Sequence, residues 1–193
     1  MNASSEFSAA EKRAVRPAAL GARDALTASE RAEASEAVCR YLSELAELKE
    51  AGTVLGYAAF GSECDLSALY DALRASGVAV AFPVTAEDGT MEAFVPSGPL
   101  VRGRFGVPEP DPAASRRLAP DVLDVVLVPC VAFDGSLRRL GHGAGCYDRY
   151  LPRCAGAKAV LIGFEAQRLD AVPIESHDLS FSVLATEKGV FRL

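Results

Sequence analysis

The stretch RRLGHGAGCYDRYL, residues 138–151, concentrates most of the chemistry this chain could perform. Gly141, Gly143 and Gly145 stand at alternate positions, Arg138 and Arg139 precede them, and Tyr147, Asp148 and Arg149 follow. A glycine-rich turn lets backbone N–H groups approach an anion with no side chain in the way, and a helix start behind it adds partial positive charge. Phosphate binding is the chemistry such a loop suits, with a turn that uses glycine for geometry alone as the plain alternative. Asp148 complicates the phosphate reading, because a carboxylate beside a phosphate repels it unless a cation lies between. Mg²⁺ commonly fills that role, held by one or two carboxylates plus substrate phosphates. A carboxylate at this place could equally favour a helix start through the dipole. Both readings of Asp148 stay open on these residues.

Other loop chemistries fit less well. A Walker A loop needs Gly-x₄-Gly-Lys followed by Ser or Thr, which is absent. A dinucleotide fingerprint needs Gly-x-Gly-x-x-Gly directly after a strand; here the glycines alternate and Asp134 to Leu140 intervene, although Glu165 stands twenty residues past Gly145. His142 and Cys146 are four apart, which would pair a thiol with a base only on a helix, and alternating glycines argue against one.

The whole chain narrows the choice further. Its 193 residues suffice for one substantial core, and its net charge of −6 disfavours non-specific nucleic-acid binding, so cations for an anion must be gathered locally. Cys39, Cys64, Cys130, Cys146 and Cys154 are odd in number with no Cys-x-x-Cys, which argues against a disulfide framework or a zinc ribbon. With only His142 and His177, a three-histidine zinc site is impossible. The first residues lack a basic and apolar leader and no segment has the length and apolarity of a membrane span, so a cytoplasmic protein is expected, without nucleic-acid or membrane partners and, with no coiled-coil pattern, a monomer.

The elements that must position the loop follow from periodicity. Residues 8–26 predict a helix that Pro17 should kink or restart. Thr27 and Glu30 form a capping-box pattern for a second helix to about Leu48. Strands are expected over 53–59, 78–82 (ended by Pro83), 91–95, 122–129 and 159–164, with a helix over 65–76 capped by Asp65. FSVLAT and GVFRL predict a closing pair of short strands, and 96–112 predict loops. The valine-rich run 122–129 has the look of a buried central strand. The pattern is α/β: a single domain over 1–193, with a largely parallel central sheet flanked by helices and a helical N-terminal arm.

With these residues in place, LVPCVAFDGSLRRLGHGAGCYDRYL resembles the signature of the 5-formyltetrahydrofolate cyclo-ligases, also called methenyltetrahydrofolate synthetases. The likeness extends along the chain through Lys12 to Arg16, GSECD at 61–65, Gly106 to Pro110, Gln167, His177-Asp178 and Thr186-Glu187. Departures from the pattern are Cys130 for a glycine, Leu137 for a turn glycine (offset, in this reading, by Gly135), His142, Ala144, and Cys146 for a tyrosine. They bear on affinity and substrate preference more than on the reaction.

The resemblance implies a fold like that of phosphosugar isomerases and CoA transferases. It also implies ATP as co-substrate with Mg²⁺, and 5-formyltetrahydrofolate, polyglutamylated or not, as substrate. Carried over residue by residue, Lys12, Arg13, Ala14, Val15 and Arg16, with Arg139, Leu140, Gly141, His142, Gly143, Ala144, Gly145, Cys146 and Tyr147, would contact ATP. Ala58, Glu63 and His142 to Cys146 would contact the folate; Arg139 and Arg16 would act in catalysis; Asp148 and Asp178 would hold Mg²⁺. Taken without the family, Lys12 and Arg16 are a basic helix face and Glu63 a strand-end acid. A sugar-phosphate isomerase, which needs no ATP, and a ligand-binding module without turnover are the alternatives.

Overall fold

The computed structural model describes residues 9–103, 106–175 and 178–193. His177 therefore lies outside the described residues. An eight-stranded sheet is built from β1 (Thr53–Leu55), β2 (Ala79–Thr85), β3 (Met91–Val95), β6 (Arg116–Leu118), β7 (Val125–Pro129), β10 (Lys158–Ile162), β11 (Val183–Thr186) and β12 (Gly189–Arg192). Two small pairs, β4 (Val101–Arg102) with β5 (Pro108–Glu109) and β8 (Ala132–Phe133) with β9 (Arg139–Leu140), complete the strands. The sheet order is β12-β11-β10-β7-β1-β2-β3-β6. The five strands from β11 to β2 run parallel, and β12, β3 and β6 are antiparallel additions at the edges.

The alternation of β7 explains why it lies at the centre. Val125 and Leu127 join the core under α2 (Ala28–Ser43) and α4 (Ser67–Ala75), with Val38, Leu42, Leu66 and Leu69. Val126 and Val128 point to the opposite core, with Phe133, Leu137 and Tyr150. A strand buried on both faces must be apolar throughout, which is what Val-Val-Leu-Val supplies.

Several expected boundaries shift. Helix α1 (Ala9–Asp24) runs through Pro17 unbroken. Pro17 faces solvent, where the freed carbonyl can take water, while Ala19 and Arg23 pin the opposite face. The capping box at Thr27 forms as expected, but α2 stops at Ser43 and a separate turn, α3 (Ala46–Lys49), follows. Strand β1 ends at Leu55 rather than 59. Beyond it the Tyr57 N–H donates to Tyr70 Oη and Tyr70 Oη–H donates to the Tyr57 carbonyl, each at 3.0 Å, so a side chain replaces strand pairing. Strand β2 passes through Pro83, because its partner β1 has already ended opposite Ala81 and that edge is free of a strand. Asp65 lies one residue before the cap position of α4, yet its Oδ1 accepts the Ser67 N–H at 2.9 Å. The closing pair β11 and β12 forms as read. Within 96–112, the β4–β5 pair interrupts the loops.

Candidate active site

In an open parallel sheet, ligands bind beyond the carboxyl ends of the strands, where the chain order reverses. Here that point lies between β1 and β7. The chain proceeds from β1 to β2 on one side, and from β7 to β10 on the other. The loop after β1 (56–66) and the long segment after β7 (130–148) therefore flank one cleft. Its volume is about 750 Å³, and α1, the glycine loop, Glu63, Thr85, Met91, Glu109, Glu175 and Asp178 line it.

The glycine loop meets the cleft because β8 and β9 turn it back. Arg139, on β9, is nearly buried, and its Nε donates to the Pro129 carbonyl at 2.9 Å, at the end of β7. Its guanidinium lies 5.3 Å from the centre of the Tyr147 ring and 3.6 Å from Asp148 Oδ2. Arg16 reaches across from α1, its Nε donating to the Gly141 carbonyl at 2.8 Å. Two glycines lie close against these guanidinium groups. A Cβ on Gly141 would stand 2.8 Å from the Arg139 guanidinium, and one on Gly143, at φ +106°, would press the Arg16 guanidinium at 3.2 Å. The alternating glycines thus bring two arginines onto the loop itself. Helix α5 (Cys146–Tyr150) is a single turn, too short for much of a dipole, so the cations rather than the helix supply the positive field.

Lys12, Arg16, Ala19 and Arg23 fall on one face of α1, which lies over the strand ends. Lys12 is buried, and its Nζ donates to Glu175 at 2.7 Å and to Asp178. Desolvation works against its charge, but the bonds to Asp178 and Glu175 outweigh it and the pKa is raised. Glu63, from the loop after β1, accepts the Phe60 N–H at 3.1 Å and lies 3.3 Å from His142 Nε2. His142 is therefore turned toward Glu63 rather than toward Cys146, and Cys146 packs partly buried against the apolar core. Cys130 is fully enclosed, with its thiol pushed up to about 12 by burial. Among the described residues no thiol–imidazole pair forms, so His142 and Cys146 give nucleophilic cysteine chemistry no support.

One cleft that gathers basic groups from α1 and the glycine loop on one wall, and a carboxylate on the facing loop, has the form of a site for a phosphorylated ligand and a second, N–H-bearing one. The family model for 5-formyltetrahydrofolate cyclo-ligases matches residues 8–187. The chain belongs to the 5-formyltetrahydrofolate cyclo-ligase family. The 5-formyltetrahydrofolate cyclo-ligase of Mycolicibacterium smegmatis is 35% identical, over 94% of this chain and 97% of that one. The enzyme of the same name from Escherichia coli is 29% identical, over 88% and 96%. The solution structure of Aquifex aeolicus 5,10-methenyltetrahydrofolate synthetase superposes with a TM-score of 0.82 at 32% identity, covering 94% of this chain and 92% of that one. The Mycoplasma pneumoniae synthetase, 20% identical with a TM-score of 0.77, shares the fold.

Most of the residues that the family pattern singled out meet here. Lys12, Arg13, Arg16, Ala58, Glu63, Arg139 to Tyr147, Asp148 and Asp178 all line the cleft. Ala14 and Val15 do not; they follow the helix round to other faces. The expected metal pair is more complicated. Asp178 already carries the Lys12 ammonium and Asp148 faces Arg139. Among the described residues, no three His, Cys, Asp or Glu side chains converge to hold a metal ion. That donor set fits an ion held by a carboxylate and nucleotide phosphates, not one caged by protein.

Sequence reasoning missed three side chains. Glu175 shares Lys12, and no periodicity flagged it. Arg23 faces Glu63, and its spacing of seven from Arg16 was a signal available on the helical face. Asp134 is wholly buried, its Oδ1 accepting the Ser136 and Arg138 N–H groups and its Oδ2 the Val172 N–H and Arg138 Nε. It builds the turn before the glycine loop. That turn corrects another expectation: Gly135 does not stand in for the missing turn glycine, since Leu137 itself takes a positive φ of 52°.

Proposed function

We propose that this chain couples ATP hydrolysis to closure of 5-formyltetrahydrofolate, giving 5,10-methenyltetrahydrofolate, ADP and phosphate. The observation that carries the reading is the convergence of Arg16 and Arg139 on the alternating-glycine loop, opposite Glu63, in one cleft at the switch point of the sheet. An N-formyl group is an amide, a poor electrophile whose oxygen is a poor leaving group. Transfer of the γ-phosphoryl group to that oxygen makes it a good one. N10 then attacks the formyl carbon and loses its proton, the C–O bond breaks, and inorganic phosphate carries the former formyl oxygen away.

No protein nucleophile is needed, in keeping with the inert surroundings of the cysteines. The chain must align formyl oxygen with phosphorus, neutralise charge and exclude water. Arg139, anchored at Pro129 with the Tyr147 ring beside it, would meet the transferring phosphoryl group. Arg16 and Lys12 serve the nucleotide from α1. The Glu63 carboxylate can accept the amino and ring N–H edge of the pterin. Asp148, with Asp178 if Lys12 releases it, would hold Mg²⁺, which supplies charge neutralisation across the phosphates.

The test is an isotope experiment. With ATP and Mg²⁺, substrate labelled with heavy oxygen in the formyl group should give methenyl product and labelled inorganic phosphate. Product without ATP, or label absent from phosphate, would overturn the mechanism. Binding of ATP and folate with no product would instead mark a binding module.

A further inference from the structure

Arg23 ends the α1 face that begins with Lys12, and it is one of the most enclosed charges in the molecule, 5% exposed. Its Nε donates to Ser62 Oγ at 2.9 Å, and the Ser62 hydroxyl donates in turn to Asp24. Its Nη1 is buried and finds no hydrogen-bond acceptor among the described residues. The nearest carboxylate is Glu63, whose Oε1 stands 3.8 Å away. Glu63 is itself held by its Oε2, through the Phe60 N–H, and its other oxygen is shared at 3.3 Å with His142.

This is an unusual economy for a buried guanidinium. A nearby carboxylate normally closes on Arg as a bidentate pair. Here the main-chain bond on one oxygen keeps Glu63 from turning fully onto Arg23. The carboxylate is held at a standoff, with the positive charge behind it and the cleft in front. Ser62 and Asp24 fix the guanidinium, so the charge cannot leave. A carboxylate arranged in this way points its free lone pairs at whatever occupies the cleft.

We propose that Arg23 is the positioning residue for Glu63: it aims the carboxylate at the N–H-bearing edge of the folate and never touches the ligand itself. The inference rests on the reading of Glu63 as a substrate contact. It also gives α1 two tasks. Its first turns reach the nucleotide wall through Lys12 and Arg16, and its last turn holds the folate wall through Arg23.

Steady-state kinetics on a double-mutant cycle of Arg23→Gln and Glu63→Gln test it. Gln at 23 keeps helix propensity and a donor for Ser62 but removes the charge behind Glu63. R23Q should raise KM for 5-formyltetrahydrofolate about ten-fold, with KM for ATP and kcat within about three-fold, because only folate contacts are loosened. R23K, which restores a cation, should recover part of the loss. In the E63Q background, R23Q should add less than about two-fold. Additive effects, or equal loss for both substrates, would make Arg23 merely structural and overturn the proposal. A large effect of E63Q with none from R23Q also overturns it while leaving the Glu63 assignment standing. An inert E63Q removes both. Should R23Q fail to fold, Ser62→Ala, which unties the guanidinium, takes its place in the cycle with the same expectations.

Discussion

Ion pairs far from the cleft and ion pairs beside it are built differently. Away from it they are closed: Arg192 grips both oxygens of Glu47 at 2.7 and 2.9 Å, and Arg168 does the same to Glu165 at 2.6 and 2.9 Å. At the cleft they stand off. Arg139 is 3.6 Å from Asp148, and Arg23 is 3.8 Å from Glu63. A closed pair has used both its members on the fold, whereas in a standoff pair one member stays turned to the cleft, the Arg139 guanidinium in one and the Glu63 carboxylate in the other. Lys12 is the exception, closed on Asp178 and Glu175 although it lines the cleft. In the proposed reaction it must exchange one of these partners for phosphate.

The adjacent arginines of the RR pair offer the sharpest way to break this contrast. Arg138 donates from Nε to buried Asp134 at 2.6 Å, while Arg139 turns to the cleft. Arg139→Ala should lower kcat by ~10² or more, the scale of losing a preorganised donor to a developing charge. Arg138→Ala should instead cost about 1–3 kcal/mol of stability, from a buried acceptor losing a charged donor, with kcat nearly unchanged. Equal kinetic losses from the two, with stability intact, would dissolve the distinction between closed and standoff pairs.

Asp148 comes next in size. If it holds the cation that bridges phosphate, Asp148→Asn should raise the Mg²⁺ concentration for half-maximal turnover about ten-fold or more, the scale of losing a metal-positioning group. A lowered kcat with an unchanged Mg²⁺ titration would make Asp148 the keeper of Arg139 instead.

How much of this could be read from residues alone depends on whether a pattern is local. The continuous valine-rich run in 122–129 reads as a buried central strand, which forms over Val125–Pro129, and Thr27 with Glu30 reads as a cap, because both are matters of neighbours in sequence. A strand ends short of its apolar run where a distant side chain intervenes, as Tyr70 does at Tyr57. The glycine loop reads as a candidate anion site with its flanking arginines, and the resemblance adds Arg16, but the contact that carries Arg16 onto the loop is not written in any local pattern. The helix behind the loop is one turn long, and beside the local Arg139 the second cation, Arg16, arrives from α1, more than a hundred residues away. Which of Arg138 and Arg139 faces the cleft is likewise set by Asp134 and the turn, not by residue type. The Lys12–Asp178 contact joins the two ends of the chain, and no spacing rule reaches so far.

Leu137 tests whether that turn is held by conformation or by burial. Its φ of 52° is unfavourable for any residue with a Cβ, by roughly 1–2 kcal/mol, yet its side chain is 2% exposed in the core under the sheet. Both Leu137→Ala and Leu137→Gly lose the buried side chain, but only glycine relieves the backbone. L137G should therefore melt above L137A, by about 1 kcal/mol, reversing the usual order of these residues. Loss of activity in step with stability in both would tie the turn to the placing of Arg139.

The smallest effect expected is at the closed pair farthest from chemistry. The Arg192 hydrogen bonds lower the Glu47 pKa from its usual 4.5 to about 2. A carboxylate whose folded-state pKa is depressed adds stability that is fully present above its unfolded pKa and is lost as pH falls through the folded one. The contribution of Glu47 should thus be whole above about pH 5 and fade between pH 4.5 and about 2. The pair is partly exposed, so solvent and salt hold the benefit to about 0.5–1 kcal/mol. Thermal melts of Glu47→Gln against the parent should show a small gap at neutral pH that closes near pH 2, while kcat at neutral pH is the same for both. A gap independent of pH would mean that Glu47 acts by packing, and a changed kcat would show that closed pairs also reach the cleft.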